Sequence, residues 1–513
     1  MNRRLIAAAL LISFCIGSGA LSAPQQAAGK KKLKPALSSA IDSAASSVGG
    51  GGKTSPISED GEFLRRVMLD LVGYPPNLEQ VKAFMADPNP SKRAEKIDQL
   101  LDTEEWADRT ARLFCEGWFG NYHTIPMMLT PALDKGAQDR LIRDFLVWLK
   151  GKLHKDAPYN REIVDAILRA RGTGTGDPSM LWKLSCFAGD EAGAVEFANR
   201  VSKHFLGIRL KCAQCHDHPF DQWDQSHFYK LAAFFGRTKA SGGADADMRE
   251  GIEGEGLKAY GGSYQPQFIY GQKPGKTDQW MDALAVYMTQ GDTTQLASAA
   301  ANRVWSWLFG RGLVHPVDDF NRMQPPLSGG LLSAMAKDLK TSKFSIKSLY
   351  RGICNSDTYQ RGSANDAKMA KPHFGVAWIK HLDAEQLLNS IQVATTGRAG
   401  RSVNEAIRMV DPLFPADIVW CEVTPLPGNM RQALLLRNNS QIQGSISGGG
   451  VLSGIRAGTT PEKVNDIFLA ALSRKPSAAE LERFVKYIDS HSSQGLEDAY
   501  WTLMNTTEFL SRH

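Results

Sequence analysis

The fold class is decided by the stretch Phe63-Leu64-Arg65-Arg66-Val67-Met68-Leu69-Asp70-Leu71-Val72-Gly73-Tyr74-Pro75-Pro76. From Leu64 to Leu71, apolar residues recur at i, i+3, i+4 and i+7, the spacing that places side chains on one face of an α-helix. Gly73 and two prolines follow, and proline ends a helix because it has no amide hydrogen to donate. The stretch therefore predicts an amphipathic helix that stops at a turn.

Helical spacing recurs through the rest of the chain. Apolar residues share one helical face at 141–149 and 464–472, and Ser477 with Glu480 predicts a capping box at the start of another helix. Alternating strand patterns are scarce, and the best short candidate is Gln267-Phe268-Ile269-Tyr270. We therefore predict a mostly α protein with a little β.

The composition is that of an ordinary globular protein. The 513 residues are 42% hydrophobic and 22% charged, and they suffice for two or more domains. Sixty Lys and Arg against 54 Asp and Glu give a net charge of +6, and no basic helix accompanies this small excess. We therefore predict no nucleic-acid partner. Seven cysteines in such a length are too few for a disulfide-dense scaffold.

The amino terminus has the pattern of a secretory signal peptide. Arg3 and Arg4 form a charged start, residues 5–16 are apolar, and Ser18-Gly19-Ala20 offers small residues for cleavage. The apolar run is short for a membrane span, and no later window resembles one. We expect removal of residues 1–20, export to the periplasm, cell envelope or extracellular space, and no transmembrane span afterwards.

Low-complexity stretches suggest the domain organisation. Residues 21–56 are rich in Lys, Ala, Ser and Gly and predict a flexible linker. A Gly-rich, polar segment at 241–277 divides the remaining helical patterns. We therefore predict an N-terminal helical domain at 57–240, a connecting segment at 241–277, and a C-terminal helical domain at 278–513.

The most specific chemical motif is Cys212-Ala213-Gln214-Cys215-His216-Asp217-His218. Two thiols three residues apart followed directly by histidine form the attachment pattern of a c-type haem. The preferred hypothesis is that Cys212 and Cys215 bind the haem covalently and His216 coordinates its iron, for electron transfer or redox chemistry. Candidates for the second axial ligand, chosen by proximity in sequence alone, are His204, His227 and Met248.

Two other hypotheses remain open for this motif, both for a non-catalytic binding or scaffold protein. One is a closed metal site, perhaps for zinc, with the ligands Cys212, Cys215, His216 and His218. Four ligands within seven residues crowd a tetrahedral site, so one of them would come from elsewhere, such as Asp221 or His227. The other is a disulfide between the two cysteines, structural or redox-active, with the histidines as hydrogen-bonding partners. In each case Asp217 and Asp221 are candidates for orienting the imidazoles.

An enzymatic activity stays undecided at this point. Asp318-Asp319 and the pair Asp383 and Glu385 could act as general acid and base, but helix capping and surface charge explain such residues as well. The chain has neither a nucleophile elbow nor a zinc-protease helix motif. A degradative enzyme is therefore the weaker hypothesis.

Several stretches form a set that is shared by one group of proteins. In the first half they are Phe63 to Pro76, Phe205-Leu206-Gly207, Cys212 to Asp221, and Tyr229 to Phe235. In the second half they are Asn302 to Trp305, Phe309 to Val314, Asp318-Asp319-Phe320, Ser356 to Arg361, Leu382 to Gln386, and Leu503 to Leu510. On these motifs, from roughly residue 60 to the end, the chain resembles the planctomycete cytochrome-associated families of secreted proteins.

The resemblance says more about domain organisation than about function. It implies an N-terminal domain of unknown function followed by its usual C-terminal companion, in an exported protein. Members are often joined to a separate cytochrome domain. For this chain we expect a redox partner or another envelope protein, whose identity the sequence does not give. The resemblance implies no defined activity.

Overall fold

The computed structural model describes residues 33–48, 54–119, 135–173, 176–186, 190–241, 247–250, 256–259, 262–276, 278–363, 374–399, 444, 446, 450–491 and 494–513. Within these ranges the protein is mostly helical, which confirms the predicted fold class. The predicted signal peptide at residues 1–20 lies outside the described residues, as does Cys421. None of the described helices is long and apolar enough to cross a membrane.

Helices make up most of the described structure. Those of the first half are α1 (Ala36–Val48), α2 (Asp60–Val72), α3 (Leu78–Ala86), α4 (Lys92–Leu101), α5 (Glu104–Phe119), α6 (Lys135–His154), α7 (Asp165–Arg169), α8 (Met180–Leu184), α9 (Asp190–Phe205) and α10 (Gln225–Ala232). A π-helical turn at Tyr159–Val164 leads into α7, and 3₁₀ turns lie at Leu210–Gln214 and Ala233–Phe235. Those of the second half are α11 (Trp280–Thr289), α12 (Thr294–Phe309), α13 (Gly329–Thr341), α14 (Ile346–Cys354), α15 (Asp357–Gln360), α16 (Ala384–Thr396), α17 (Gly450–Ile455), α18 (Thr460–Leu472), α19 (Ala478–Ser490) and α20 (Gly495–Met504).

The strands are short and all antiparallel. They are β1 (Gly172–Thr173), β2 (Thr238–Ser241), β3 (Asp247–Glu250), β4 (Leu257–Ala259), β5 (Gly262–Tyr264), β6 (Lys380–His381) and β7 (Ser511–Arg512). They form a sheet of order β1-β3-β2 and the pairs β4-β5 and β6-β7. The predicted strand Gln267–Tyr270 is wrong: the Phe268 amide donates to the Gln272 carbonyl at 2.8 Å, and the Gly271 amide donates to the Phe268 carbonyl at 2.8 Å, so the chain turns there.

Helix α2 is buried on all sides. The sequence predicts one apolar face, but every residue from Phe63 to Val72 is buried, including the charged ones. The helix ends at Gly73, which has a φ of 79° and donates its amide to the carbonyls of Leu69 and Met68. Glycine suits this position because the left-handed conformation costs it little.

The buried charges of α2 are neutralised by segments that lie more than 280 residues away along the chain. The Asp70 carboxylate accepts hydrogen bonds from Arg512 at 2.6 Å, from the Tyr359 hydroxyl at 2.8 Å and from Lys380 at 3.0 Å. Burial alone would raise the pKa of Asp70, but Arg512 and Lys380 hold it below its ordinary value. The stabilising contribution is thus complete at neutral pH and is lost as the pH falls through that lowered pKa.

The two arginines of α2 donate hydrogen bonds to backbone carbonyls of the second half. Arg65 donates to the carbonyl oxygens of Ala471 and Phe509 at 3.2 and 3.1 Å. Arg66 donates to those of Tyr359 and Arg361, both at 2.7 Å. Helix α2 therefore holds together parts of the chain that are far apart in sequence.

The hydrophobic core continues across the Gly-rich segment at residues 241–277. One cluster of buried side chains extends from Leu37 to Phe374 and includes Leu257 of β4 and Phe268. A second cluster extends from Leu382 to Phe509 and also takes in Leu69 of α2. The predicted boundaries at 57–240, 241–277 and 278–513 stay predictions, and the described core is continuous across the second of these segments.

Part of the predicted linker at 21–56 is ordered helix. In α1, Leu37, Ile41 and Ala45 are buried at i, i+4 and i+8, and the helix packs against α13 and α14. The Ser38 hydroxyl donates to the Gly352 carbonyl at 2.7 Å. The Ala- and Ser-rich composition of the segment predicts a flexible linker. The apolar spacing within it, together with the helix preference of alanine, accounts for the helix.

We predict that Asp70→Asn destabilises the protein strongly. The amide keeps the shape of the carboxylate but leaves Arg512 and Lys380 buried without their counter-charge, which costs about 3 to 5 kcal/mol. The matched control is Asp466→Asn, because the pair of Asp466 with Lys82 lies at the surface, partly exposed, and contributes at most about 1 kcal/mol. Chemical denaturation, monitored by circular dichroism, measures the free energy of unfolding of both variants. Equal losses of stability would contradict the central role of Asp70.

Candidate functional site

The cysteine-histidine loop, residues 210–223, follows α9 and begins with the 3₁₀ turn Leu210–Gln214. Leu210 and Ala213 of this turn are buried and anchor the loop to the core. Cys212 and Cys215 lie on the outer side, where both thiols are exposed and free. The loop therefore presents two reduced sulfur atoms to solvent from a fixed base.

His216 is held in one tautomer by its neighbour. Its Nδ1 lies 2.7 Å from the backbone carbonyl oxygen of Asp217. Because a carbonyl can only accept a hydrogen bond, Nδ1 carries the proton and donates it. The other ring nitrogen, Nε2, therefore keeps its lone pair, which is the form of imidazole that coordinates a metal.

His218 has the opposite arrangement. Its backbone amide donates to the Trp223 carbonyl at 2.7 Å, which closes the turn. Its Nδ1 accepts from the Phe220 amide at 3.3 Å. With Nδ1 as acceptor, the neutral ring carries its proton on Nε2, so no lone pair is left for a metal unless this bond breaks. The two histidines of the motif are chemically distinct.

The two aspartates of the motif lie in different surroundings. Asp217 is exposed and acts on His216 through its backbone carbonyl. The Asp221 carboxylate accepts from the Gln222 amide at 2.8 Å and lies 3.6 Å from the Arg322 guanidinium. The structure thus gives Asp221 a contact with the second half of the chain.

The three sequence-based candidates for a second axial ligand are placed differently. His204 is buried edge-on to Trp182, and burial together with nearby cationic side chains lowers its pKa well below the usual range. Nδ1 of His227 lies 2.9 Å from the Asp224 carboxylate at the start of α10. Met248 lies on β3, and its side chain is outside the described part of the molecule.

The second half of the chain supports the loop at its base. The Phe320 amide donates to the Gly207 carbonyl at 2.8 Å, and Gln295 of α12 donates to the Leu206 carbonyl at 2.6 Å. Gly207 has a φ of +67°, and a Cβ there would lie 2.7 Å from the Phe320 ring. Only glycine fits this close approach of the two segments.

A buried ion pair reinforces the same junction. Arg209, directly before the loop, donates to one carboxylate oxygen of Asp318 through two nitrogens at 2.8 and 3.1 Å. Asp318 is fully buried, and Lys203 of α9 lies 3.6 Å from it. In this structure Asp318 acts as a counter-charge for the segment that carries the loop.

Asp383 and Glu385 likewise have structural partners. Asp383 caps α16 by accepting from the Gln386 amide at 2.8 Å, as the capping interpretation predicts. Arg109 of α5 donates to Asp383 at 2.6 Å and to Glu385 at 2.9 Å. Arg112 adds a contact of 3.0 Å to Glu385. The pair therefore joins α5 to α16.

Sequence reasoning did not associate residues 318–323 with the cysteine-histidine loop. The signal was available in part, because Asp318-Asp319-Phe320 is one of the stretches on which the family resemblance rests. Its proximity to the loop depends on tertiary contacts that no spacing reveals. Among the described residues, no group of three or more His, Cys, Asp or Glu is arranged to hold a metal ion.

We predict that Gly207→Ala loosens the loop from the second half of the chain. The left-handed backbone and the Phe320 ring together penalise the methyl group by about 2 to 4 kcal/mol. Gly151→Ala in α6 is the control, because no atom lies within 4 Å of the new methyl group and alanine favours helix. Thermal unfolding and proteolysis near residue 210 measure the difference. Unchanged stability and protection in Gly207→Ala would show that the contact is dispensable.

Comparison with known protein families identifies both halves. The model named PSCyt2, a protein of unknown function (DUF1549), matches residues 49–240, and that named PSD1, a protein of unknown function (DUF1553), matches residues 282–417. Neither a curated protein nor a solved structure matches the chain. The order of the two matches confirms the predicted resemblance and a two-domain, mostly α protein. The chain thus carries a PSCyt2 domain followed by a PSD1 domain, the domain pair of the planctomycete cytochrome-associated proteins that it resembles.

Proposed function

We propose that the chain is an exported protein that binds one covalent c-type haem through Cys212, Cys215 and His216. Such a group exchanges single electrons as its iron alternates between the ferrous and ferric states, which suits electron transfer or redox chemistry at the cell envelope. The observation that carries the proposal is the hydrogen bond from His216 Nδ1 to the Asp217 carbonyl, which leaves Nε2 free to coordinate iron.

The two thiols meet the requirement for covalent attachment. Each thiol adds across a vinyl group: sulfur bonds to one vinyl carbon, and the thiol hydrogen passes to the other. The addition expels no leaving group and needs no oxidant, but it does need reduced sulfur within reach of solvent. Cys212 and Cys215 are both free and exposed, whereas Cys115, Cys186 and Cys354 are buried.

The same geometry favours haem over the closed metal site. A zinc site that used both histidines through Nε2 would be opposed at His218, where the hydrogen bond from the Phe220 amide to Nδ1 stabilises the tautomer with a protonated Nε2. A haem iron already has four ring nitrogens and needs only one imidazole from this loop. The pattern at residues 1–20 supports export, as attachment outside the cytoplasm requires.

We predict that haem attachment depends on the two loop cysteines. The full chain, produced in a host with a haem-attachment system, should show a Soret band that survives acidified organic extraction. Cys212→Ala with Cys215→Ala should abolish this covalent pigment. Cys186→Ala is the control: that thiol is buried, and burial raises its pKa to about 11, so its loss should leave attachment intact.

A colourless wild-type protein from that host would refute the haem proposal. Elemental analysis would then separate the remaining hypotheses: stoichiometric zinc would indicate the scaffold site, and two titratable thiols lost on oxidation would indicate a disulfide. Circular dichroism on each variant checks that a missing pigment does not reflect a missing fold.

We predict that the two histidines of the motif differ in their effect on the bound haem. His216→Gln removes the nitrogen with the free lone pair and should change the axial ligation, seen as a shifted Soret band and weakened visible bands. His218→Gln keeps a side-chain acceptor near the Phe220 amide and should leave the spectrum unchanged. Identical spectra for both variants would exclude His216 as the axial ligand.

A further inference from the structure

A tight turn of the second domain, Asn321–Gln324, presents an exposed methionine. The Asn321 side-chain oxygen accepts from the amides of Met323 and Gln324 at 2.9 and 2.8 Å, and residues 321 and 324 also form a β-bridge. Met323 projects from this turn with 70% of its surface exposed. The turn is therefore held by its own hydrogen bonds while its apolar side chain faces solvent.

The turn is fastened to the cysteine-histidine loop. Arg322 donates to the side chain of Gln222, and its guanidinium lies 3.6 Å from the carboxylate of Asp221. These two partners follow His216 by five and six residues. Met323 is thus the neighbour of a residue that contacts the loop directly.

Exposed apolar side chains gather around this junction. Phe220 lies between His218 and Asp221 and is 61% exposed. Tyr270 is 47% exposed as a residue. Partial burial of its phenol, with Asp292 and Asp221, raises its pKa to about 12, so the phenol lies within electrostatic range of the Asp221 carboxylate. Large apolar side chains grouped on a surface indicate a site that something covers.

The thioether of Met323 is suited to binding a haem iron. A thioether is a soft, uncharged ligand, and methionine opposite histidine is a known axial pair for haem iron. A porphyrin tethered at Cys212 and Cys215 would also cover apolar surface next to the loop. The histidine candidates are less available, because His204 is buried and the His227 side chain takes part in the capping box of α10.

We infer that Met323 of the second domain supplies the second axial ligand to the haem held by the first domain. This inference rests on the proposed function. Arg322 positions the turn through Asp221 and Gln222, and Phe220 covers the edge of the porphyrin. The haem site is then built by both domains, and neither domain alone completes it.

The test uses the full chain with its covalent haem and the variant Met323→Leu. Leucine keeps the apolar volume but removes the sulfur. We expect the near-infrared band of a sulfur ligand on ferric haem to disappear and the reduction potential to fall, because methionine ligation raises it. The matched control, Met85→Leu on α3, changes a half-buried methionine packed near Gly61 and should leave both readouts unchanged.

A second variant tests the positioning. Arg322→Ala should weaken the same band without abolishing covalent attachment, because the turn loses its contact with the loop. A wild-type protein with covalent haem but without the sulfur band, or a potential unchanged in Met323→Leu, would overturn the inference and leave the haem proposal standing. A wild-type protein without covalent haem would overturn both.

Discussion

The structure depends on the burial of charged side chains in helix α2. A carboxylate and two guanidinium groups inside a core would each cost several kcal/mol if left unpaired. Here Asp70 is paired with Arg512 and Lys380, while Arg65 and Arg66 donate to carbonyls that lie hundreds of residues away in sequence. Because the penalty is removed only when those distant segments are in place, α2 cannot be stable in its present setting without the carboxyl-terminal part of the chain. In the described structure, α2 therefore connects the first family domain to the second and to the carboxyl-terminal residues.

Contacts with distant segments of the chain also fix the position of the cysteine-histidine loop. The loop itself has few apolar side chains to bury, so its position must come from its two ends. At the base, Asp318 is buried only because Arg209 neutralises it, and the Gly207 carbonyl is bonded to the Phe320 amide. At the far side, Arg322 contacts Asp221 and Gln222. These contacts cross from one family domain to the other, which gives a physical reason why the two should occur together in one chain.

The sequence predicted the elements that depend on local patterns and missed those that depend on distant partners. Ser477 and Glu480 form the predicted capping box, since capping is a contact between residues three apart. Thr459 and Glu462 form a capping box of the same spacing at the start of α18. Arg65 and Asp70 could not be identified as core residues, because a charged side chain in a helix normally faces water. For the site, the motif supplied the residues, but the tautomers of His216 and His218 follow from hydrogen bonds that only the folded loop makes.

An exposed loop is a reasonable place for a group that is held by covalent bonds. Noncovalent binding of a porphyrin would need a deep apolar pocket, whereas two thioether bonds make every further contact intramolecular and raise its effective concentration. The protein then has to control only the axial ligands and the solvent exposure of the iron, which set its reduction potential. In the proposed site one ligand comes from a turn of the first domain and the other from a turn of the second. A change in the packing between the domains, for example at Arg209 and Asp318, would then also alter the iron ligation of the proposed site, so the domain junction would tune its redox chemistry.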